Sequence, residues 1–216
     1  MAPVSCPICE KRPPKRFCPA KGEKICPLCC GRGREVTIDC PIDCPHLIAA
    51  HRYEREHAKP IGAEDLPYRD VQVRPNFVYE RWDVIAGFAE AILQFQIQNN
   101  ELNDSSTAAA LEALAEKYRA LGAGIYYERE PASLLARALY GQLNQFLQEF
   151  RKQRAARIYF APLQDDDIFQ LLVFLLRAAK HETNGRPRSR AFLDFLRANF
   201  PPSTAPTKEA SRIVLP

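Results

Sequence analysis

From about Phe77 onward, apolar residues return every three or four positions. Trp82, Ile85, Phe88, Ile92 and Phe95 form one such stripe, the signature of an amphipathic helix. Asn99-Asn100 and Asn103-Asp104-Ser-Ser interrupt it, and Asp104, Ser105 or Ser106 is expected to cap the next helix. That helix carries Ala108, Leu111, Leu114, Tyr118 and Leu121 and ends at Gly122 and Gly124. Ile125-Tyr126-Tyr127 reads equally as a strand-like connector or a helical turn. A third helix is predicted from Pro131, with Leu135, Leu139, Leu143, Leu147 and Phe150 on its apolar face. Arg151, Lys152, Arg154 and Arg157 close it, where cations complement the helix dipole.

The run Ile168-Phe-Gln-Leu-Leu-Val-Phe-Leu-Leu176 is apolar nearly all round, which predicts a buried central helix over 167–180. It is too short to span a membrane, which takes about 20 residues. Asp165, Asp166 and Asp167 precede it. Three adjacent carboxylates suggest a divalent metal, but the N-terminus of a helix accounts for them directly. Asn184-Gly185 marks a turn, and Phe192, Leu193, Leu196 and Phe200 mark a short last helix. Residues 201–216 are rich in Pro, Ser and Thr and are expected to be disordered, with Arg212-Ile-Val-Leu-Pro216 as a conceivable docking peptide.

Before Phe77 periodicity fails, and cysteine takes over. All eight cysteines lie between positions 6 and 44. Two Cys-Pro-x-Cys pairs, Cys6/Cys9 and Cys26/Cys29, are separated by the loop from Glu10 to Ile25, a spacing that suits one tetrahedral zinc site. The proline in each pair stiffens the turn that aims both sulfurs at one ion. Cys18, Cys30, Cys40 and Cys44 are left for a second site, with His46 as a possible substitute for Cys30. His51 and His57, like His46, are otherwise expected on the surface of a helix running from Pro45 to about His57. Glu35-Val-Thr-Ile-Asp39 alternates and predicts a short strand leading into Cys40.

The two ligand sets interleave along the chain. This order resembles the cross-brace zinc modules, the RING, B-box and MYND fingers, over residues 6–44. The resemblance implies two structural Zn²⁺ ions. Disulfides would require an oxidising compartment, and no apolar leader precedes the cysteines, so a reducing, cytoplasmic setting is expected. Iron–sulfur clusters favour tighter cysteine runs than these.

The expected architecture is mainly α: a small Cys-rich two-zinc finger followed by an all-α helical bundle. Residues 1–58 form the finger with its C-terminal helix. Residues 59–76, punctuated by Pro60, Pro67 and Pro75, form an extended linker. The bundle occupies 77–200 and the tail 201–216.

Charge changes this picture little. The formal net charge is +4, and the whole excess lies before Ile61. Eight thiolates and two Zn²⁺ bring that segment to about neutral. Lys11, Arg12, Lys15, Arg16, Arg32 and Arg34 remain as loop cations able to meet phosphate or an acidic protein surface. No phosphate-binding glycine loop, dinucleotide fingerprint or nucleophile elbow occurs. With the thiols committed to metal, no cysteine remains as a nucleophile, and His181 is the only histidine beyond His57. An enzyme with structural zinc is the least favoured reading. A non-catalytic adaptor binding another protein is the first, and a nucleic-acid-binding regulator using the finger loops is the second. No membrane association is expected.

Overall fold

The computed structural model describes residues 5–74, 76–156 and 162–200. Arg157 and the C-terminal segment 201–216, including Arg212–Pro216, lie outside the described residues. In chain order the elements are β1 (Arg16–Cys18), β2 (Glu23–Ile25), α1 (Pro27–Gly33), α2 (Pro45–Glu56), α3 (Phe77–Glu80), α4 (Trp82–Gln98), α5 (Asp104–Gly122), α6 (Leu134–Ala155), α7 (Asp165–Glu182) and α8 (Ala191–Asn199). The protein is mainly α, as the periodicity predicts.

The helical stripes converge on one core. Phe88 and Ile92 of α4, Leu111 and Leu114 of α5, and Leu139 and Leu143 of α6 are buried there with Leu171, Leu172 and Leu175 of α7 and Phe192 of α8. Helix α5 packs on both α6 and α7, while α8 closes the end against α4 and α7. Gly87 lets the Phe146 ring sit directly on α4, where any Cβ would collide with it. Phe146 then meets Phe88 edge-on, ring centroids 5.3 Å apart. Trp82 departs from the predicted stripe. It is half exposed and stacks on Phe200 at 5.0 Å. No helix among the described residues is long and apolar enough to cross a membrane.

Several helix ends differ from expectation. Asn103, not Asp104, Ser105 or Ser106, caps α5: its Oδ1 accepts the Ser106 N–H at 2.9 Å. Asp104 is buried and faces the other way. Its carboxylate accepts the N–H groups of Phe192 and Leu193 at 3.2 and 3.4 Å, so it caps α8 from a distance in sequence. Helix α6 starts three residues after Pro131, with Ser133 as its cap. The segment 125–127 is an exposed connector, neither strand nor helix.

The aspartates before the central helix fill the first turn of α7. Asp165 pairs with Arg151 at 2.7 Å and Asp167 with Arg81 at 2.9 Å. Those ion pairs tie α6 and the start of α4 to α7. Arg154, expected to serve the dipole of α6, reaches Asp83 of α4 at 2.5 Å.

The segment expected to be a plain linker is strapped down. Arg177 of α7 donates to the carbonyls of Pro67, Tyr68 and Val71 at 3.1, 2.6 and 2.8 Å. Tyr68 itself packs edge-on against Phe169 and donates to Glu116 at 2.5 Å. Proline breaks regular structure here, but Arg177 of α7 satisfies three of the backbone carbonyls that regular structure would have paired.

Candidate metal centre

The first knuckle is a tight turn. The Cys6 N–H donates to the Arg12 carbonyl at 2.8 Å and the Glu10 N–H to the Cys6 carbonyl at 2.7 Å, with Glu10 in the left-handed region at φ 53°. An antiparallel hairpin then pairs Arg16 with Ile25 and Cys18 with Glu23, turning through Gly22 at φ 68°. The hairpin delivers Cys26 directly to the start of α1. There Cys26 caps the helix: the Cys29 N–H donates to its Sγ at 3.4 Å, and Pro27 takes the first helical position. The Cys26 N–H in turn donates to the Cys6 Sγ at 3.3 Å, which locks one knuckle to the other.

The sulfurs of Cys6, Cys9, Cys26 and Cys29 all lie within 4.8 Å of one another. A tetrahedral Zn²⁺ with Zn–S bonds of about 2.3 Å requires sulfurs about 3.8 Å apart, and Cys9 and Cys26 stand at 3.9 Å. The thiols are free, not disulfide-bonded. Their electrostatics also call for a cation. The Lys11 N–H draws the Cys9 thiol down to about 6. Burial opposes ionisation of Cys6, yet N–H groups from Cys26, Ile8 and Cys9 outweigh it and lower that thiol too. Burial and the three neighbouring sulfurs push Cys29 up to about 12. Four thiolates at this spacing require a positive ion, which a zinc ion would supply. The set predicted from spacing is thus assembled, closed and suited to a structural zinc.

The second predicted set is not gathered in this way. Among the described residues, Cys6, Cys9, Cys26 and Cys29 form the only group of three or more ligand atoms within that distance. Cys18, Cys40 and Cys44 are buried in the same small core as Ile25, Ile38 and Leu47. Burial pushes the Cys40 thiol up to about 11, with charge on Cys44 and Cys18 adding to the effect. Cys30 of α1 is half-buried and packs against the same small core, its sulfur 3.9 Å from an Arg16 guanidinium nitrogen. His46 is half-buried in the first turn of α2 and joins no ligand cluster.

Two predictions next to the cysteines are overturned. Residues 35–39 form a tight turn in place of a strand: the N–H groups of Val36, Thr37 and Ile38 all converge on the Gly33 carbonyl. Glu35 adopts φ 53° in that turn, which swings its side chain inward. His51, expected on the surface, is 2% exposed. Its Nε2 lies 3.1 Å from both Glu35 carboxylate oxygens, and its Nδ1 lies 3.6 Å from Asp194 of α8. His57 is exposed as predicted and stacks on Tyr53, centroids 4.1 Å apart.

Glu35 is the centre of a junction between the cysteine-rich segment and the helices. Its carboxylate accepts from Asn184 Nδ2 at 2.7 Å and from the Arg190 N–H at 2.6 Å, besides His51. Arg190, also 2% exposed, extends the junction. Its guanidinium donates to Asp39, to the Cys40 carbonyl, and to the carbonyls of Leu102 and Asn100, all within 3.0 Å. Sequence reasoning missed every member of this network. Its residues are polar and far apart in the chain, and no spacing rule relates position 35 to 184 or 190.

Of the loop cations, Arg16 and Arg34 line one cleft with His46. Lys11, Arg12, Lys15 and Arg32 are exposed and do not line it. No protein-family model matches the chain. No curated protein and no solved structure matches it either.

Proposed function

We propose that the protein is a non-catalytic, zinc-dependent adaptor that binds another protein through its finger. One observation carries this reading: the tips of the metal knuckles are apolar and face solvent. Ile8 and Leu28, the residues between the paired cysteines, are 47% and 38% exposed, with Phe17 of the hairpin at 55%. Metal binding would hold these side chains rigidly over the small core of Ile25, Ile38 and Leu47. Exposed apolar side chains on a rigid support suit a protein interface better than a phosphate backbone. Zinc in a closed four-thiolate site offers no open coordination position for catalysis.

The reading includes a second structural zinc held by Cys18, Cys30, Cys40 and Cys44. The common burial of Cys18, Cys40 and Cys44 supports it. Cys30 packs against the same small core, with Arg16 at 3.9 Å from its sulfur.

The test is capture of partner proteins by the full chain after nuclease treatment, beside an Ile8→Ser/Leu28→Ser variant of equal zinc content. The expected result is a partner recovered by the natural chain and lost from the variant. A partner recovered equally by both, or lost on nuclease treatment, overturns the reading.

A further inference from the structure

The hairpin, the residue after α1 and one face of α2 line an open cleft of about 280 Å³. Arg16 enters it from β1, Arg34 from the residue after α1, and His46, Tyr53 and Glu54 from one face of α2. Ala49 and Ala50 also line it, and their small side chains take up little of the space. We propose that this cleft binds a phosphate monoester carried on a partner polypeptide. The proposal rests on the protein-binding reading above and names the chemistry of the partner.

The charge pattern carries the argument. The other buried and half-buried arginines have their partners: Arg55 pairs with Glu182, Arg81 with Asp167, Arg151 with Asp165, Arg154 with Asp83, Arg186 with Glu54, Arg190 with Asp39 and Arg197 with Asp194, while Arg177 donates to three backbone carbonyls. Arg16 and Arg34 have no carboxylate partner among the described residues, although both are half-buried. Three elements therefore bring two guanidiniums without a carboxylate, and an imidazole, to one concavity. The one carboxylate in the wall, Glu54, is already taken up by Arg186 at 2.8 Å and Asn184 at 3.2 Å. Arg16 has the Cys30 sulfur 3.9 Å away but no carboxylate, and partly desolvated guanidiniums without a carboxylate favour an anion that supplies the charge.

A phosphate fits this set better than a carboxylate. It brings a charge of about −1.5 to −2 and three acceptor oxygens, matching two guanidinium forks. Tyr53 gives the cleft an aromatic wall. Its ring is held by stacking on His57 with 24° between planes, while 62% of the residue stays exposed. That wall suits the backbone and flanking side chains of a peptide, the mode by which arginine clusters read phosphorylated segments.

The experiment measures binding to the full zinc-loaded chain at physiological salt. The probes are a peptide library with one fixed phosphoserine, the same library with serine, inorganic phosphate, and a single-stranded oligonucleotide. The expected result is retention of the phosphorylated library over the serine library, with inorganic phosphate competing. An Arg34→Ala change should weaken retention about tenfold or more, as loss of a charge-assisted hydrogen bond requires. Arg34→Lys should recover only part of it, because lysine keeps the charge but not the fork. Zinc content and melting temperature verify that each variant is folded. Equal retention of the two libraries, or full retention by a folded Arg34→Ala variant, overturns the cleft proposal. If Ile8 and Leu28 still govern partner capture in that event, the adaptor reading survives. An oligonucleotide bound more tightly than the phosphopeptides through Arg16 and Arg34 overturns both.

Discussion

Glu35 and His51 form a buried ion pair, with Nε2 3.1 Å from each carboxylate oxygen and both side chains shielded from water. One partner comes from a turn made possible by a left-handed backbone, the other from the second turn of α2. Between them they fix α2 on the turn that follows the first metal knuckles. Asn184 and the Arg190 N–H complete the shell of the same carboxylate, so the pair also anchors α8.

Removing one member of such a pair leaves a buried charge uncompensated. Glu35→Ala is expected to destabilise the protein by about 3–5 kcal/mol. His51→Ala should act in the same direction. The double change should cost less than the sum of the two, since each single variant strands the other partner. Denaturant unfolding of zinc-loaded protein measures all three, and full additivity would contradict a direct coupling.

The same pair sets a pH dependence. Burial alone would lower His51, but the carboxylates of Asp194 and Glu35 override it and raise the imidazole from 6.5 to about 9. The raised folded-state value means that the contribution is fully present below about pH 6.5. It fades as pH rises through about 9. Zinc loss has the opposite sign, because thiolates protonate as pH falls. A melting temperature that declines between pH 7 and 10 with zinc still bound, and that loses this decline in His51→Phe, is the expected outcome.

The helical half was largely legible because its information is local. A stripe such as Leu111, Leu114 and Tyr118 requires only that one face of a helix be buried, and it is. The first metal site was legible for a similar reason: two Cys-Pro-x-Cys turns can each be read without the rest of the chain. What was hidden depends on partners brought together by folding. Asp104 has the composition of a helix cap and is one, but for α8, while Asn103 caps α5. His51 shares its helix with exposed Arg52 and Tyr53, and nothing in that stretch marks it as buried. Glu35 sits in an alternating stretch that mimics a strand until the left-handed turn is known.

Asp104 tests that long-range capping. Besides the N–H groups of Phe192 and Leu193, its carboxylate accepts the Ser189 hydroxyl at 2.5 Å. Asp104→Ala should cost about 1–2 kcal/mol, the usual worth of a helix cap or more. Asp104→Asn, which keeps one acceptor oxygen, should cost less. Hydrogen exchange should show the loss in α8 and not in α5; protection lost throughout α5 instead would assign the cap to its own helix.

Metal stoichiometry separates the two cysteine sets. Elemental analysis should find two zinc ions per chain. Cys18→Ser should lose one of them while the Cys6, Cys9, Cys26, Cys29 site keeps the other. One ion in the natural chain would confine metal binding to the first set, and iron would overturn the zinc reading altogether.

The last prediction concerns how far the helices depend on the finger. The buried core of the bundle draws on residues from Phe77 to Leu196, and the finger adds Ile42 at its edge. A chain of residues 59–200 keeps that core. It also keeps the strap, since Pro67, Tyr68 and Val71 stay within reach of Arg177. It loses Glu35, Asp39, the Cys40 carbonyl and His51, so Arg190 and Asn184 are left without their finger partners. Helical, cooperative melting at a lower temperature than the full chain is therefore expected, with α8 as the least protected helix. Chelation should bring the full chain down toward the same melting temperature and no further, because metal supports the finger and its junction but not the apolar core. The shorter chain should ignore chelator entirely. Far-UV circular dichroism during heating tests all of this. A broad, non-cooperative transition in residues 59–200 would mean that the Glu35 and Arg190 junction is required for the bundle to fold.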